Sequence, residues 1–362
     1  MNYRGELRFN DERYFGSKLA KLIETKLSSQ TTSGYKKSLY LFIKEWISPS
    51  EVIRVKTSGT TGKPKEITFR KSQAISSAKM TCEYFGLNKN TNTLLCLSTE
   101  YIGGKMMVVR AFVSGMNLIT VGPSSNPLSG LNKRIDFASM VPLQVNNILQ
   151  AEKTKNKFLS ISNVIIGGAP VSPLLESMLT NCSNNVYSTF AMTETLSHVA
   201  LKKLSGKDRT DYFETLPGIT ILTDDRECLA INAPVLSEDL IITNDVVEII
   251  NSTRFRWLGR YDNVINSGGI KIHPEMIEQK LAAFVKHIRF FITSLPDEKL
   301  GQKVVMVVEC LQNFDINQII DRAEITLSKY ETPKEYYRTE IFLETFTGKI
   351  KKAETLKIAT RF

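Results

Sequence analysis

The 362-residue chain is 42% hydrophobic and 23% charged, an ordinary globular balance that excludes disorder or a coiled coil as the main state. It has no run of about 18 uncharged apolar residues, which excludes a helical membrane span, and the opening MNYRGELRFNDERYF lacks the apolar stretch of a secretory signal, so a cytoplasmic location is expected. The net charge of +10 is uneven, with 19 Lys+Arg against 9 Asp+Glu in residues 1–130 and 28 of each thereafter. Without arginines clustered among aromatics, that surplus reads as surface lysine or as provision for a small anionic substrate, not as a nucleic-acid groove.

Apolar residues at helical spacing predict a helix over 14–30 and a second over 38–46 that ends before Ser48-Pro49. Residues 51–70 read as strand, Gly-rich turn, strand, and 71–87 as a helix. Short buried strands are expected at 93–98 and 117–122, on either side of the segment Tyr101–Gly115. Residues 158–170 read as a strand closed by a tight turn, and 172–182 as a helix with Ser172 at its N-cap and Pro173 in its first position. Alternating strand and helix predict an α/β layered fold. From Gly218 short strands take over, and after Tyr261 a smaller unit is expected: a helix at 274–286, strands at 289–294 and 303–309, and a helix at 315–329. Two domains follow, 1–261 and 262–362. Five widely spaced cysteines without a CxxC pair argue against a disulfide framework or structural zinc, and three scattered histidines against a histidine-rich metal centre.

The sharpest local signal is Thr57-Ser58-Gly59-Thr60-Thr61-Gly62-Lys63-Pro64-Lys65. Glycines let backbone N–H groups approach an anion, hydroxyls add donors and lysine adds charge, a combination suited to a polyphosphate. It is not the Walker pattern, since Gly59 and Gly62 are too close and Pro64 stands where Ser or Thr belongs. The loop resembles the phosphate loop of the adenylate-forming superfamily of acyl-CoA synthetases, luciferases and peptide-synthetase adenylation domains. Further motifs follow in order. Phe190-Ala191-Met192-Thr193-Glu194 resembles Y-G-x-T-E, Thr243-Asn244-Asp245 resembles T-G-D, and Gly259-Arg260-Tyr261-Asp262-Asn263 resembles G-R-x-D-D. Ser267-Gly268-Gly269, then Ile272-His273-Pro274-Glu275-Met276-Ile277-Glu278, and finally Thr347-Gly348-Lys349-Ile350 complete the set.

The resemblance implies a large layered N-terminal adenylate-forming domain, shortened at its start, and a small mobile α+β C-terminal domain. It implies ATP, Mg²⁺, CoA and a small carboxylic acid as the molecules bound. The 57–65 loop would hold the β- and γ-phosphates, Thr193 would contact phosphate, and Glu194 would help hold Mg²⁺, a hard cation that prefers oxygen. Asp245 would take the ribose hydroxyls, Arg260 would add a donor there, Phe190 would stack on adenine, and Gly168 would lie at the adenine edge. Lys349 would bridge carboxylate and α-phosphate. Asp262 would be the hinge between one pose presenting Lys349 and another presenting Ser267, Gly268 and Gly269 to CoA. The neighbours Lys351 and Lys352 read as a solvated run.

Among relatives the pattern is most like the o-succinylbenzoate–CoA ligases of menaquinone synthesis, with a CoA ligase for another small aryl or acyl acid, or a carrier-protein adenylation enzyme, as alternatives. Gly167-Gly168 would open a slot for a flat acyl group, and Tyr101 and Gly104 would lie on the acyl side. A second substrate carboxylate would need a partner, with Lys105, Arg110, Ser197 and His198 as candidates. The chain departs from the family pattern at several points: 56 residues precede the phosphate loop where relatives commonly have over a hundred, the stretch between Glu194 and Asp245 is short, Phe190 replaces the usual tyrosine, Ala191 replaces Gly, and Tyr101 replaces a His.

Overall fold

The computed structural model of the protein describes residues 5–32, 34–56, 66–282, 284–285, 288–311, 314–344 and 350–361. They group into two compact units, Met1–Ile221 with Ile231–Ile241, and Leu222–Ala230 with Ile242–Phe362. This grouping differs from a division at 261/262, because residues 242–261 pack with the segment that follows them.

In the larger unit, β1 (Glu6–Phe9) and β2 (Glu12–Phe15) form a hairpin that the sequence reading missed. Its turn is Asn10-Asp11, both at positive φ (48° and 75°), which these two residue types tolerate better than most. Helix α1 (Gly16–Ser28) therefore starts after the hairpin, and α2 (Gly34–Ile47) follows. Strands β3 (Val52–Lys56) and β4 (Glu66–Arg70) pair antiparallel from Val52↔Arg70 to Lys56↔Glu66, which brings the two flanks of the 57–65 segment together. Then come α3 (Lys71–Phe85), β5 (Asn92–Leu95), α4 (Ile102–Ser114), β6 (Asn117–Thr120), β7 (Phe137–Met140), α5 (Pro142–Gln150) and α6 (Glu152–Leu159). After them follow β8 (Asn163–Ile166), α7 (Pro173–Leu179), β9 (Asn185–Ala191), β10 (His198–Lys203) and β11 (Phe213–Thr215). Helix α4 was not anticipated, because residues 104–112 are all buried and leave no polar face to reveal a helical period.

The sheet of this unit runs β11-β10-β9-β8-β7-β5-β6-β1-β2. Its centre is parallel, β6 with β5, β5 with β7, β7 with β8 and β8 with β9. Parallel strands covered on both faces read as short apolar runs, as NVII and TLL do here. Leu94, Met140, Val164 and Ile166 from the sheet pack with Val145, Ile148, Phe158, Leu175 and Leu179 from α5, α6 and α7. Ser172 caps α7 as expected, its hydroxyl accepting from the Leu175 N–H at 3.2 Å.

Strands β12 (Thr220–Thr223) and β13 (Cys228–Asn232) follow in the chain. In the smaller unit, β14 (Ile241–Asn251) and β15 (Arg254–Arg260) form an antiparallel pair, so LIITND and VVEII are one strand. Next are β16 (Ile265–Ser267), β17 (Ile270–Ile272), α8 (Pro274–Ala282), β18 (Arg289–Asp297) and β19 (Gly301–Glu309). The chain ends with α9 (Asn317–Thr326), β20 (Glu335–Thr339), α10 (Lys352–Ile358) and β21 (Thr360–Arg361). Ile277 and Leu281 of α8 and Ile319 and Ala323 of α9 pack on Ile292, Val304 and Met306 of the β18–β19 hairpin.

Gly104 owes its identity to packing. A Cβ there would stand 2.3 Å from the Ser98 carbonyl oxygen, backbone that cannot rotate away. At Gly103 the nearest atom is the Leu97 Cδ1 tip, 3.3 Å away. Gly104→Ala is expected to destabilise the protein by roughly 1–3 kcal/mol. Gly103→Ala is expected to be neutral or stabilising by up to about 1 kcal/mol, since alanine favours helix. Urea-unfolding midpoints of the two variants check this.

Candidate active site

Strands β8 and β9 deliver the residues of the larger unit. They pair in parallel to Ile166↔Ser188, and β9 runs on to Ala191. Beyond β8 the chain turns through Gly167 and Gly168. A Cβ on Gly167 would lie 2.5 Å from Thr189 Oγ1, and Gly168 has φ +83°, so both positions need glycine. Phe190 sits half-buried beside this turn, edge-on to Phe213 with ring centroids 5.9 Å apart. Thr193 and Glu194 follow in a single 3-10 turn, and Glu194 is exposed. The turn is held by Thr195, whose hydroxyl accepts from the Met192 N–H at 3.2 Å and lies 2.7 Å from the Ser197 carbonyl oxygen. Leu196 closes it at φ +63°, a strained conformation for a branched residue.

Behind that turn lies a polar cluster in the core. Arg110 of α4 donates from Nη2 to Ser197 Oγ at 2.5 Å and from Nη1 to Met107 Sδ at 3.5 Å. Its Nε has no partner, and among the described residues no carboxylate pairs with this wholly buried guanidinium. Burial lowers its pKa to about 10. His198 is buried between Ser197 Oγ and Thr81 Oγ1, each 3.3 Å from a ring nitrogen. Burial, then the Arg110 charge, hold its pKa well below the usual range. Lys105 is committed elsewhere. Its ammonium donates to the Arg54 carbonyl, lies 3.7 Å from Glu45 Oε2 and covers the Phe42 ring. Tyr101, the residue before α4, is exposed.

The smaller unit carries the other motifs. Asp245 and Arg260 face each other in the β14–β15 register, with Arg260 Nη1 3.3 Å from Asp245 Oδ2. Trp257 Nε1 donates to Asp245 Oδ1 at 2.9 Å, a partner not foreseen from sequence. Asp262 lies in a short 3-10 turn, Tyr261–Asn263. Gly268 and Gly269, at φ +60° and +83°, make the two-residue turn joining β16 to β17, next to buried Ser267. Thr57, Ser58, Gly59, Thr60, Thr61, Gly62, Lys65 and Lys349 lie outside the described residues.

A family model described as AMP-binding enzyme matches residues 35–226. A crystal structure of an acyl-CoA synthetase (AMP-forming)/AMP-acid ligase II-like protein from Dyadobacter fermentans is 37% identical, with a TM-score of 0.63 over 93% of this chain and 97% of that one. The chain belongs to the AMP-binding enzyme family. It is an AMP-forming acid–thiol ligase by that membership. A 2-succinylbenzoate–CoA ligase of Staphylococcus epidermidis is 25% identical over 91% of this chain and 72% of its own length. The o-succinylbenzoate CoA synthetase of Bacillus subtilis, solved with its acyl-adenylate, is 19% identical with a TM-score of 0.71 over 85% of this chain and 69% of that one, a likeness of fold. Among the described residues no helix is long and apolar enough to cross a membrane.

Within this AMP-binding enzyme fold, Lys352 departs from a solvated lysine. Its Nζ sits 2.8 Å from Glu278 Oε1 and over the Phe291 ring, while Lys351 stays on the surface with Glu354. Glu278 also accepts from the Ile292 N–H at 2.8 Å, and its burial raises its pKa against the pull of Lys352. The position of Glu278 one turn after Glu275 was visible in the sequence, but its partner was not. Burial raises the thiol pKa of Cys82 to about 11 and that of Cys96 to about 12.

The buried His198 makes stability depend on pH. Its folded pKa is depressed below the unfolded value of about 6.5. The unfolded chain therefore binds the extra proton, and the stability present above pH 6.5 is lost as pH falls toward the folded pKa. The expected slope from this residue approaches about 1.4 kcal/mol per pH unit below 6.5. His198→Gln should flatten the curve between pH 7 and 5 relative to the parent, as read from urea midpoints across that range.

Proposed function

We propose that the protein is an o-succinylbenzoate–CoA ligase. The observation that carries this reading is Arg110, a buried guanidinium with no carboxylate partner among the described residues, bonded to Ser197 just after the Thr193–Glu194 turn. A buried charge lacking a counter-ion is costly and calls for an anion. A substrate whose reacting carboxylate sits at Thr193–Glu194 and whose second carboxylate meets Arg110 and Ser197 would supply it. The 2-succinylbenzoate–CoA ligases among the relatives support the same acid. Lys105, already paired with Glu45, has no part in this reading.

The chemistry proceeds in two displacements. A carboxylate oxygen of the acid attacks the ATP α-phosphorus and pyrophosphate leaves, giving the acyl-adenylate. The CoA sulfur then attacks the acyl carbon and AMP leaves. The first step brings anion to anion, so positive groups and hydrogen-bond donors must be in place beforehand. Lys349 supplies the charge between carboxylate and α-phosphate, and the 57–65 loop cradles the outer phosphates. Asp245 accepts from the ribose hydroxyls. The partners of its two oxygens, Trp257 and Arg260, keep that carboxylate oriented. Among the described residues there is no group of three or more metal-ligating side chains. An exposed Glu194 fits a magnesium ion that takes one carboxylate and otherwise phosphate oxygens and water, and that would neutralise phosphate charge.

With ATP, Mg²⁺ and CoA, o-succinylbenzoate should yield its CoA thioester with AMP and pyrophosphate. Benzoate and monocarboxylic keto acids should react far more slowly. Equal turnover of simple aryl or fatty acids would refute the acid while leaving the ligase. Arg110→Met should lower kcat/KM for o-succinylbenzoate by roughly 100-fold or more and leave monocarboxylic acids nearly unchanged, since a site built to pair a charged group rejects the analogue lacking it. Lys349→Ala should slow pyrophosphate release by roughly 100-fold and spare thioester formation from supplied acyl-adenylate. Lys351→Ala should leave both steps intact.

A further inference from the structure

The family pattern T-G-D has no side chain at its middle position, whereas this chain has Asn244 there. In the smaller unit Asn244 touches residues from both sides of the motif. Its Nδ2 donates to Asp262 Oδ2 at 3.3 Å, and its Oδ1 accepts from Arg226 Nη1 at 2.9 Å. Arg226 is itself immobilised. It grips Asp224 Oδ2 through Nε at 2.9 Å and Nη2 at 2.7 Å, and donates to the Thr243 carbonyl at 3.1 Å. Its guanidinium also lies over the ring of Tyr261, 5.3 Å from the centroid, in the residue just before Asp262. Arg260 Nη2 stands 3.7 Å from the same Asp262 oxygen that Asn244 reaches. A second link spans the same point of the chain, Lys271 Nζ to Glu227 Oε2 at 2.8 Å.

We propose that Asn244, held by Arg226, is a latch on Asp262 that stabilises one of the two poses of the chain about this residue. The inference rests on the reading of Asp262 as a hinge and of the protein as a two-step ligase. A change of φ at 262 swings its carboxylate away from Asn244, so the amide bond exists in one pose only, while Tyr261, upstream of 262, keeps its place over Arg226. A contact made in one of two states shifts their populations by its own free energy. A glycine at 244 lacks this contact, so Asn244 is a positioning residue for the balance of the two steps.

The test compares the parent with Asn244→Ala and Asn244→Gly, and with Arg226→Met as a second way to free the same amide. Three quantities are read for each: ATP affinity, single-turnover pyrophosphate release without CoA, and thioester formation from supplied o-succinylbenzoyl-adenylate and CoA. The latch predicts that the ratio of the two half-reaction rates changes by threefold or more in all three variants, one rate rising as the other falls, with ATP affinity within twofold of the parent. Both rates falling by one factor, neither rate changing, or a loss confined to ATP affinity would overturn it, since a structural or ribose-binding role has those signatures. A parent protein that performs neither half-reaction would overturn the ligase reading and the latch with it. A parent that performs both, with variants that keep the ratio, overturns the latch alone.

Discussion

Parallel strands end at one edge of a sheet, and the pairing of β8 with β9 up to Ile166↔Ser188 uses that fact to bring two distant loops together. Gly167-Gly168 follows the first strand, and Phe190 to Glu194 ends the second. The approach is close enough that a single Cβ at Gly167 would strike Thr189 Oγ1. The apolar layer formed by Val164, Ile166, Met140 and Leu94 against α5, α6 and α7 keeps those strands in place. The strained Leu196 and the Thr195 hydroxyl then turn the chain so that Glu194 is left facing solvent. Rigid strands carrying a strained loop are the usual way to pre-organise a reacting group.

Charge placement follows a second rule, that a buried charge needs a partner. Lys105 meets it with Glu45 and the Arg54 carbonyl, and Lys352 with Glu278. Among the described residues Arg110 meets it with a hydroxyl and a thioether alone. The difference separates lysines neutralised by a carboxylate from an arginine held by neutral groups. It also accounts for His198, kept neutral by burial and by the same guanidinium, and so able to pass hydrogen bonds between Ser197 and Thr81 without adding charge.

In the smaller unit, hydrogen bonds run from Asp224 through Arg226 and Asn244 to Asp262, and from Trp257 through Asp245 to Arg260. The two lines meet where Arg260 lies near both Asp245 and Asp262. The carboxylate assigned to ribose and the residue assigned to the hinge thus share one guanidinium. Exposed pairs of this kind are individually weak, which suits residues that exchange partners during a reaction cycle.

Local chemistry was enough to read the parts of this protein that repeat a short pattern. The Ser172-Pro173 helix start, the β3–β4 hairpin around the glycine-rich loop, the apolar parallel strands and the ordered motifs from Thr57 to Lys349 depend on residues adjacent in the chain. Helix α4 was illegible because it is buried all round, and the β1–β2 hairpin because its Asn-Asp turn lies between strands of only four residues each, half of them charged. Only the tertiary structure could distinguish Lys105 from Arg110, five residues apart on one helix. The sequence names both as cations, but whether a cation is neutralised depends on Glu45 in one case and Ser197 in the other, brought close by packing across tens of residues.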